Sequence, residues 1–147
     1  MFTSKIFCVH SVYHALMALV RDLQFGLASQ VNLLPTLRAF FGDDLKPTPG
    51  KFDKSDYESD TAVYEVKTRR NSKDKYPTTC IGADKISAIT KKIVFVFAFN
   101  DGPHYLEYNK ELFDKFEVRP FARYRPGVYD KLKPYVFIPV DELHPIC

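Results

Sequence analysis

The chain has 147 residues, of which 46% are hydrophobic and 27% charged, and its formal net charge is +3. These values are typical of a globular protein with a sizeable core, here a single domain over residues 1–147, and they exclude an intrinsically disordered chain. Nowhere do 18 apolar residues follow one another, and no long apolar leader precedes His10. We therefore expect neither a membrane partner nor secretion.

The cysteines and the absence of several common motifs argue against further classes of protein. Cys8, Cys80 and Cys147 are odd in number and form no CxxC pair. This argues against a zinc site or a disulfide framework and favours a reducing, intracellular compartment, cytoplasmic or nuclear. The chain has no GxSxG elbow, P-loop or GxGxxG motif, so neither a serine hydrolase nor a glycine-loop nucleotide fold has support.

Two helices are predicted near the N-terminus. Apolar residues at spacings of three and four run over residues 9–27, and a second stripe runs over residues 32–41, where Gly42 ends the helix. Residues 46–50 are predicted to be a loop because they include two prolines and a glycine. Each apolar stripe needs a cover, so we expect both helices to pack on the sheet that follows.

The strand predicted over residues 61–68 carries the first candidate site residues. Its β-branched and aromatic side chains favour extended structure. Side chains two apart on a strand share a face, so Glu65 and Lys67 emerge together while Tyr64 and Val66 point into apolar packing. An acid beside a base at the end of an apolar strand can hold a metal ion and a developing negative charge.

A second carboxylate comes shortly before this strand. Residues 52–57 can form the neighbouring strand, and a tight connection at residues 58–60 would bring Asp56 beside Glu65. Mg²⁺ prefers oxygen ligands and usually takes one or two carboxylates with water and phosphate oxygens. Asp53 and Asp60 are alternatives to Asp56 as the partner acid.

A basic stretch follows the strand. Between Lys67 and Lys75 there are five basic residues and a single acid, Asp74. Next to a metal site, such a stretch is what a phosphodiester backbone requires, although basic runs are often only solvated, mobile loops. Residues 76–82 then lead into a short helix predicted over residues 83–91. The candidate nucleic-acid-binding residues are Arg69, Arg70, Lys73, Lys75 and Lys85.

The remaining predicted elements are strands. Residues 93–99 form a continuous apolar run, typical of a central strand buried on both faces, and a turn at residues 100–103 returns the chain into a strand over residues 104–108. Further strands are predicted over residues 116–119, broken by Pro120, and over residues 135–140, where Pro139 suggests an edge. The fold class is therefore α+β, with N-terminal helices packed on a mixed central sheet.

The pattern of Asp56 on one strand and Glu65-Val66-Lys67 on the next resembles the active site of the PD-(D/E)XK nuclease superfamily, whose fold is restriction-endonuclease-like. The stretch from Glu65 to Arg70, followed by Tyr76-Pro77-Thr78-Thr79 and Lys85, looks like nuclease-like proteins of phages and large DNA viruses. The order of predicted elements over residues 53–140 is similar to the same fold.

The resemblance implies a cofactor, a reaction and a set of roles. Mg²⁺ or Mn²⁺ would be bound by Asp56, Glu65 and the carbonyl of Val66. Asp56, Glu65 and Lys67 would be the catalytic residues, with Lys67 positioning or activating the attacking water. The implied activity is that of a Mg²⁺-dependent endonuclease or exonuclease that hydrolyses DNA, with Tyr76 and Thr78 beside Lys85 along the phosphate path.

The alternative is a protein that kept the nuclease fold without catalysis. Many members carry a glutamate on the first helix, where this chain offers only Asp22, Gln30 and Asn32. Such a protein would be a structural or interaction component, of a virion for example, or a DNA-binding module that does not cleave. The sequence leaves self-association into a homo-oligomer open.

Overall fold

The structure is a computed structural model. The residues it describes are 16–17, 20–21, 33–49, 56–86, 91–122, 124–129 and 131–147. Within these ranges no helix has the length and hydrophobicity that a membrane crossing requires. Of the helix predicted over residues 9–27, the four described residues are helical, and the rest lies outside the described ranges, as do Gln30, Asn32 and Asp53.

The described elements alternate short helices with strands that join two sheets. In chain order they are helix α1 (33–41), β1 (Lys46–Pro47), β2 (Tyr57–Glu58), β3 (Ala62–Thr68), a 3-10 turn (Lys73–Lys75), β4 (Thr78–Gly82), a second 3-10 turn (Ala83–Lys85), β5 (Lys92–Phe99), β6 (Gly102–Glu107), helix α2 (Lys110–Phe113), β7 (Glu117–Phe121), β8 (Tyr124–Arg125), β9 (Val128–Tyr129), β10 (Lys133–Pro139), a third 3-10 turn (Val140–Glu142) and β11 (His144–Pro145).

The larger sheet has six strands in the order β1-β2-β3-β5-β6-β11. It is mixed, because β3 and β5 run parallel while its other neighbouring strands are antiparallel. Strand β5 is central and every residue from Ile93 to Phe99 is buried, as the apolar run predicts. The β5–β6 hairpin is also confirmed: Phe99 pairs with Gly102, whose φ of 137° lies in the region that favours glycine.

A second, three-stranded antiparallel sheet, β4-β10-β7, covers one face of the first. Its Ile81, Val136 and Ile138 share one apolar cluster with Phe95 and Phe97 of β5. On the opposite face of the larger sheet, Leu37 of α1 packs in a second cluster with Tyr64, Val66, Val94 and Val96. The fold is thus α+β, as predicted, with the mixed sheet between a helix and a smaller sheet.

The two proline-based predictions are wrong, for one physical reason. Strand β10 is the centre of its sheet, not an edge, and Pro139 is only its last residue, opposite Thr78. Pro120 lies inside β7, opposite Pro134 of β10. A proline lacks an N–H, so it is tolerated at a strand end, or on a strand such as β7 that has one neighbour in its sheet.

Other predicted boundaries are corrected. Lys46–Pro47, predicted as loop, pairs with β2 as a short edge strand. Of the strand predicted over residues 52–57, Tyr57 is in β2 and Asp56 is a bend, while residues 52–55 lie outside the described ranges. Thr78–Gly82, predicted as a lead into a helix, is strand β4. In the helix predicted over residues 83–91, the described start is a 3-10 turn and Lys91 is not helical, while residues 87–90 are not described. Pairing with distant strands overrides these local signals.

Truncation of Leu37 tests the packing of α1 on the sheet. Leu37 is 0% exposed, so Leu37→Ala should lower the free energy of unfolding by about 2–5 kcal/mol through lost burial and a residual cavity. The measurement is urea unfolding followed by circular dichroism. Leu132→Ala is the matched control because Leu132 is 72% exposed, and it should change stability by less than about 0.5 kcal/mol. Equal effects of the two variants would contradict this packing.

Candidate active site at the carboxyl end of strand β3

Strand β3 presents an acid and a base on the face that the second sheet covers. Val63 belongs to the apolar cluster between the sheets, and the alternation of the strand places Glu65 and Lys67 on the same side. Tyr64 and Val66 point the other way, into the cluster beneath α1, as predicted. Glu65 is only 5% exposed, so the strand delivers a carboxylate to a nearly dry position.

Asp56 is held against the same point of β3 by two hydrogen bonds. Its backbone N–H donates to the carbonyl of Tyr64 (3.0 Å), and its Oδ2 accepts from the backbone N–H of Val66 (2.7 Å). Asp56 directly precedes Tyr57, which pairs with Tyr64 in the adjoining ladder. The carboxyl group of Asp56 lies close enough to that of Glu65 for their charges to repel each other.

Two lysines converge on one oxygen of Glu65. Lys67 Nζ lies 2.7 Å from Glu65 Oε1, and Lys85 Nζ lies 3.3 Å from the same atom. Lys85 comes from the 3-10 turn after β4, so this contact joins the two sheets. A buried carboxylate requires compensating charge, and two ammonium groups supply it.

The pKa of Asp56 is raised above its ordinary range. Burial is the largest cause, because it penalises the charged form, and the nearby charge of Glu65 acts in the same direction. The hydrogen bond from Val66 and the charges of Lys67 and Lys85 oppose the rise without cancelling it. Asp56 therefore carries an electrostatic cost when it is ionised beside Glu65.

A cleft of about 570 Å³, here called the basic cleft, opens beside these residues. Lys67 and Lys85 line it, whereas Asp56 and Glu65 lie behind them and do not line it. The cleft runs from β3 and the loop after it, past β4, to β10 and β7 of the three-stranded sheet. Asp84 is the one acid among its lining residues, against five cations: Lys67, Arg69, Lys73, Lys85 and Lys133.

Arg69, predicted to contact nucleic acid, also ties the two sheets together. Its guanidinium donates to the carbonyl of Cys80 (2.7 Å) and to Thr79 Oγ1 (3.2 Å) on β4, and it lies 5.9 Å from the ring centroid of Phe97. Arg69 therefore closes one side of the basic cleft and carries its positive charge there, with much of its hydrogen-bonding capacity already used.

The other predicted basic residues divide between the cleft and the surface. Lys73 lines the cleft, and its backbone N–H donates to Asp101 Oδ1 (3.0 Å) in the β5–β6 turn. Arg70 and Lys75 are exposed and are not among the residues that line the cleft. Bonds such as Asn100 N–H to the carbonyl of Asn71 (3.1 Å) dock the basic stretch on that turn, so it is an anchored loop.

The sequence does not indicate all the residues that line the basic cleft. Lys133 and Tyr135 reach the cleft from β10, because β10 pairs with β4, about fifty residues earlier in the chain. Tyr76 and Thr78, by contrast, line the cleft as the resemblance implied. Of the alternative acids, Asp60 is exposed on the β2–β3 connection, and Asp53 lies outside the described ranges.

The donor set is compatible with a hard divalent cation. Asp56 and Glu65 offer carboxylate oxygens close to each other, and Mg²⁺ usually takes one or two carboxylates and completes its shell with water and substrate oxygens. A cation there would favour the ionised form of Asp56, whose pKa is raised first by burial and second by the charge of Glu65. The described residues contain no group of three or more histidine, cysteine or acidic side chains arranged for a metal ion.

No protein-family model, curated protein or solved structure matches this chain.

The raised pKa of Asp56 gives a pH-dependent test. The pKa of Asp56 is higher in the folded protein than in the unfolded chain, so between these two values the folded protein binds more protons than the unfolded chain. The contribution of Asp56 to stability is therefore lost as the pH rises through this range. Asp56→Asn should therefore gain stability relative to the wild type as the pH rises from about 4 to about 7. Urea unfolding across this range gives the difference. Asp60→Asn changes an exposed position, so its free energy of unfolding should vary with pH in parallel with that of the wild type. A parallel curve for Asp56→Asn would contradict a raised pKa of Asp56.

Proposed function

We propose that the protein is a metal-dependent nuclease of the PD-(D/E)XK, restriction-endonuclease-like kind that hydrolyses DNA phosphodiester bonds, as an endonuclease or exonuclease. The observation that carries the proposal is the meeting of Asp56, Glu65 and Lys67 beside a cleft whose lining includes five cations and one acid. A DNA substrate agrees with an intracellular location, cytoplasmic or nuclear, and the resemblance extends the proposal to a viral source.

The carboxylates are assigned to the metal. Asp56 and Glu65, with the carbonyl of Val66, would hold Mg²⁺ or Mn²⁺. When bound, such an ion polarises a phosphoryl oxygen and lowers the pKa of a bound water. Asp56 must be ionised to serve as a ligand, and its raised pKa means that protons compete for it at a higher pH than for an ordinary aspartate. The rate of DNA cleavage should therefore decline as the pH becomes acidic.

Lys67 is assigned to the charge that develops during hydrolysis. Its ammonium group lines the cleft and is held 2.7 Å from Glu65, so its position is fixed before substrate arrives. A fixed positive charge at a phosphodiester stabilises the extra negative charge of the transition state more than that of the substrate. Lys67 also lies where it can orient the attacking water beside the scissile phosphate.

The surrounding cations are assigned to the DNA backbone. Lys73, Lys85 and Lys133 line the basic cleft and would contact phosphates within it. Arg70 and Lys75 lie outside the cleft on the exposed part of the anchored loop and would contact the flanking nucleic acid. Such contacts position the backbone without reading its sequence.

A DNA-binding or structural protein that kept this architecture without catalysis is the second candidate. The observation that favours it is the double occupancy of Glu65 Oε1 by Lys67 and Lys85, which satisfies the carboxylate without a metal. In that case the cleft would bind DNA, or the protein would assemble with itself or another protein, with no cleavage.

Replacement of Lys67 tests catalysis. Wild-type protein with Mg²⁺ or Mn²⁺ should cleave plasmid or branched DNA, and Lys67→Met should lower the rate by at least about 100-fold through loss of transition-state charge stabilisation. Lys92→Met is the matched control, because Lys92 makes an exposed ion pair with Glu107 (3.2 Å) elsewhere on the same sheet. An inert wild type with both ions would refute a nuclease, and unchanged cleavage by Lys67→Met would refute the catalytic role of Lys67.

Metal binding is tested separately from cleavage. Mn²⁺ at about 100 times its Kd should raise the free energy of unfolding by about 2.7 kcal/mol. Asp56→Asn should abolish this increase, because it removes one of the two carboxylates, whereas Asp60→Asn should retain it. Thermal unfolding with and without Mn²⁺ gives both values. A wild type that Mn²⁺ does not stabilise, yet that binds DNA, would favour the non-catalytic candidate.

A further inference from the structure

The basic cleft has two chemically different walls. The wall formed by β3 and the following loop is cationic, with Lys67, Arg69 and Lys73. The wall formed by β7 and β10 of the three-stranded sheet is mainly aromatic, with Phe121 and Tyr135. A site for phosphate alone would need only the first wall, so the second wall indicates a ligand that also has flat apolar surfaces.

The register of the smaller sheet explains how the aromatic wall forms. Val136 and Ile138 point into the core, so Tyr135 lies on the opposite face of β10. Lys133 is on the same face as Tyr135 and pairs directly with Phe121 of β7. The rings of Phe121 and Tyr135 meet edge to face, with centroids 5.5 Å apart. One cation and two rings thus form a single surface at this end of the cleft.

Two of the rings that line the cleft are exposed to a ligand: Phe121 is 40% exposed and Tyr76 is 52% exposed. Phe121 pairs with Lys133 of the cleft lining, and Lys75 Nζ, outside the lining, lies 5.5 Å from the ring centroid of Tyr76. Positive charge beside exposed aromatic faces is the chemistry of sites for single-stranded nucleic acid, in which bases stack on rings and lysines follow the backbone.

We propose that the basic cleft binds a single-stranded segment of DNA, with unpaired bases stacked on Phe121 and Tyr76 and the backbone led by Lys133 and Lys85 towards Lys67. This inference rests on the proposed function, since it takes DNA as the ligand and names the form of DNA that enters. In a duplex the faces of the bases are covered by their neighbours, so an aromatic wall gains nothing from an intact double helix.

The size of the cleft agrees with this choice. About 570 Å³ is within the range of small-ligand sites and accommodates a short stretch of unpaired nucleotides. An intact duplex would contact only the rim, where it would meet the exposed Arg70 and Lys75 but not the aromatic wall. The preferred substrates would therefore be single strands, frayed ends, flaps or branches.

The test compares binding of single-stranded and duplex DNA without divalent metal, so that nothing is cleaved. The probes are a fluorescein-labelled oligothymidine of about 12 nucleotides and a duplex of the same length, measured by fluorescence anisotropy. The wild type should bind the single strand more tightly, with an affinity that falls steeply as salt rises from about 50 to about 200 mM. Phe121→Ala should weaken single-strand binding by about 5- to 100-fold and leave duplex binding unchanged.

Two further variants separate stacking from folding. Phe121→Leu keeps apolar bulk on β7 but removes the aromatic face, so it should retain wild-type stability and still lose single-strand affinity. Val118 lies on β7, is 56% exposed and does not line the cleft, so Val118→Ala should change neither the stability nor the single-strand affinity. If the duplex binds as well as the single strand and Phe121→Leu binds normally, this inference is overturned while the nuclease proposal stands. If neither probe binds at low salt, both are overturned.

Discussion

Glu65 is only 5% exposed, and it lies on strand β3, which is enclosed between a helix and the second sheet. An unpaired charge in such a position costs several kcal/mol, and this cost dictates what surrounds it. Lys67 comes from the same strand and Lys85 from the turn after β4, and both contact one oxygen of Glu65. The need to neutralise this one buried charge therefore fixes both the local geometry and a junction between the sheets.

A second acid, Asp56, accompanies the ion pair of Glu65 and Lys67. Asp56 is anchored by the backbone of β3 at a point where Glu65 repels its charge, so the pair is held together against its own electrostatics. Two acids held close together beside a cleft with five cations in its lining are the arrangement that metal-assisted phosphoryl chemistry uses, and this supports the nuclease proposal. Asp56 also has a structural role, because its Oδ2 accepts from the backbone N–H of Val66.

The sequence predicts the residues of strand β3 better than it predicts the cleft. The shared face of Glu65 and Lys67 follows from the two-residue period of one strand, and the approach of Asp56 follows from a short connection, so both are local properties. The position of β5 also follows from its own apolar run. The basic cleft depends instead on β4, β10 and β7, which are far apart in the chain and whose pairing leaves little local trace. For that reason Lys133 and Tyr135 were missed, and Arg70 and Lys75 were placed at the site by their position in the sequence alone.

The central claim is that Asp56 and Glu65 share a divalent cation, and crystals soaked in Mn²⁺ test it most directly through anomalous scattering. We expect one peak within about 2.3 Å of a carboxylate oxygen of each residue. An empty position at saturating Mn²⁺, with both lysines still bound to Glu65, would contradict the account and leave a buried ion-pair cluster in its place.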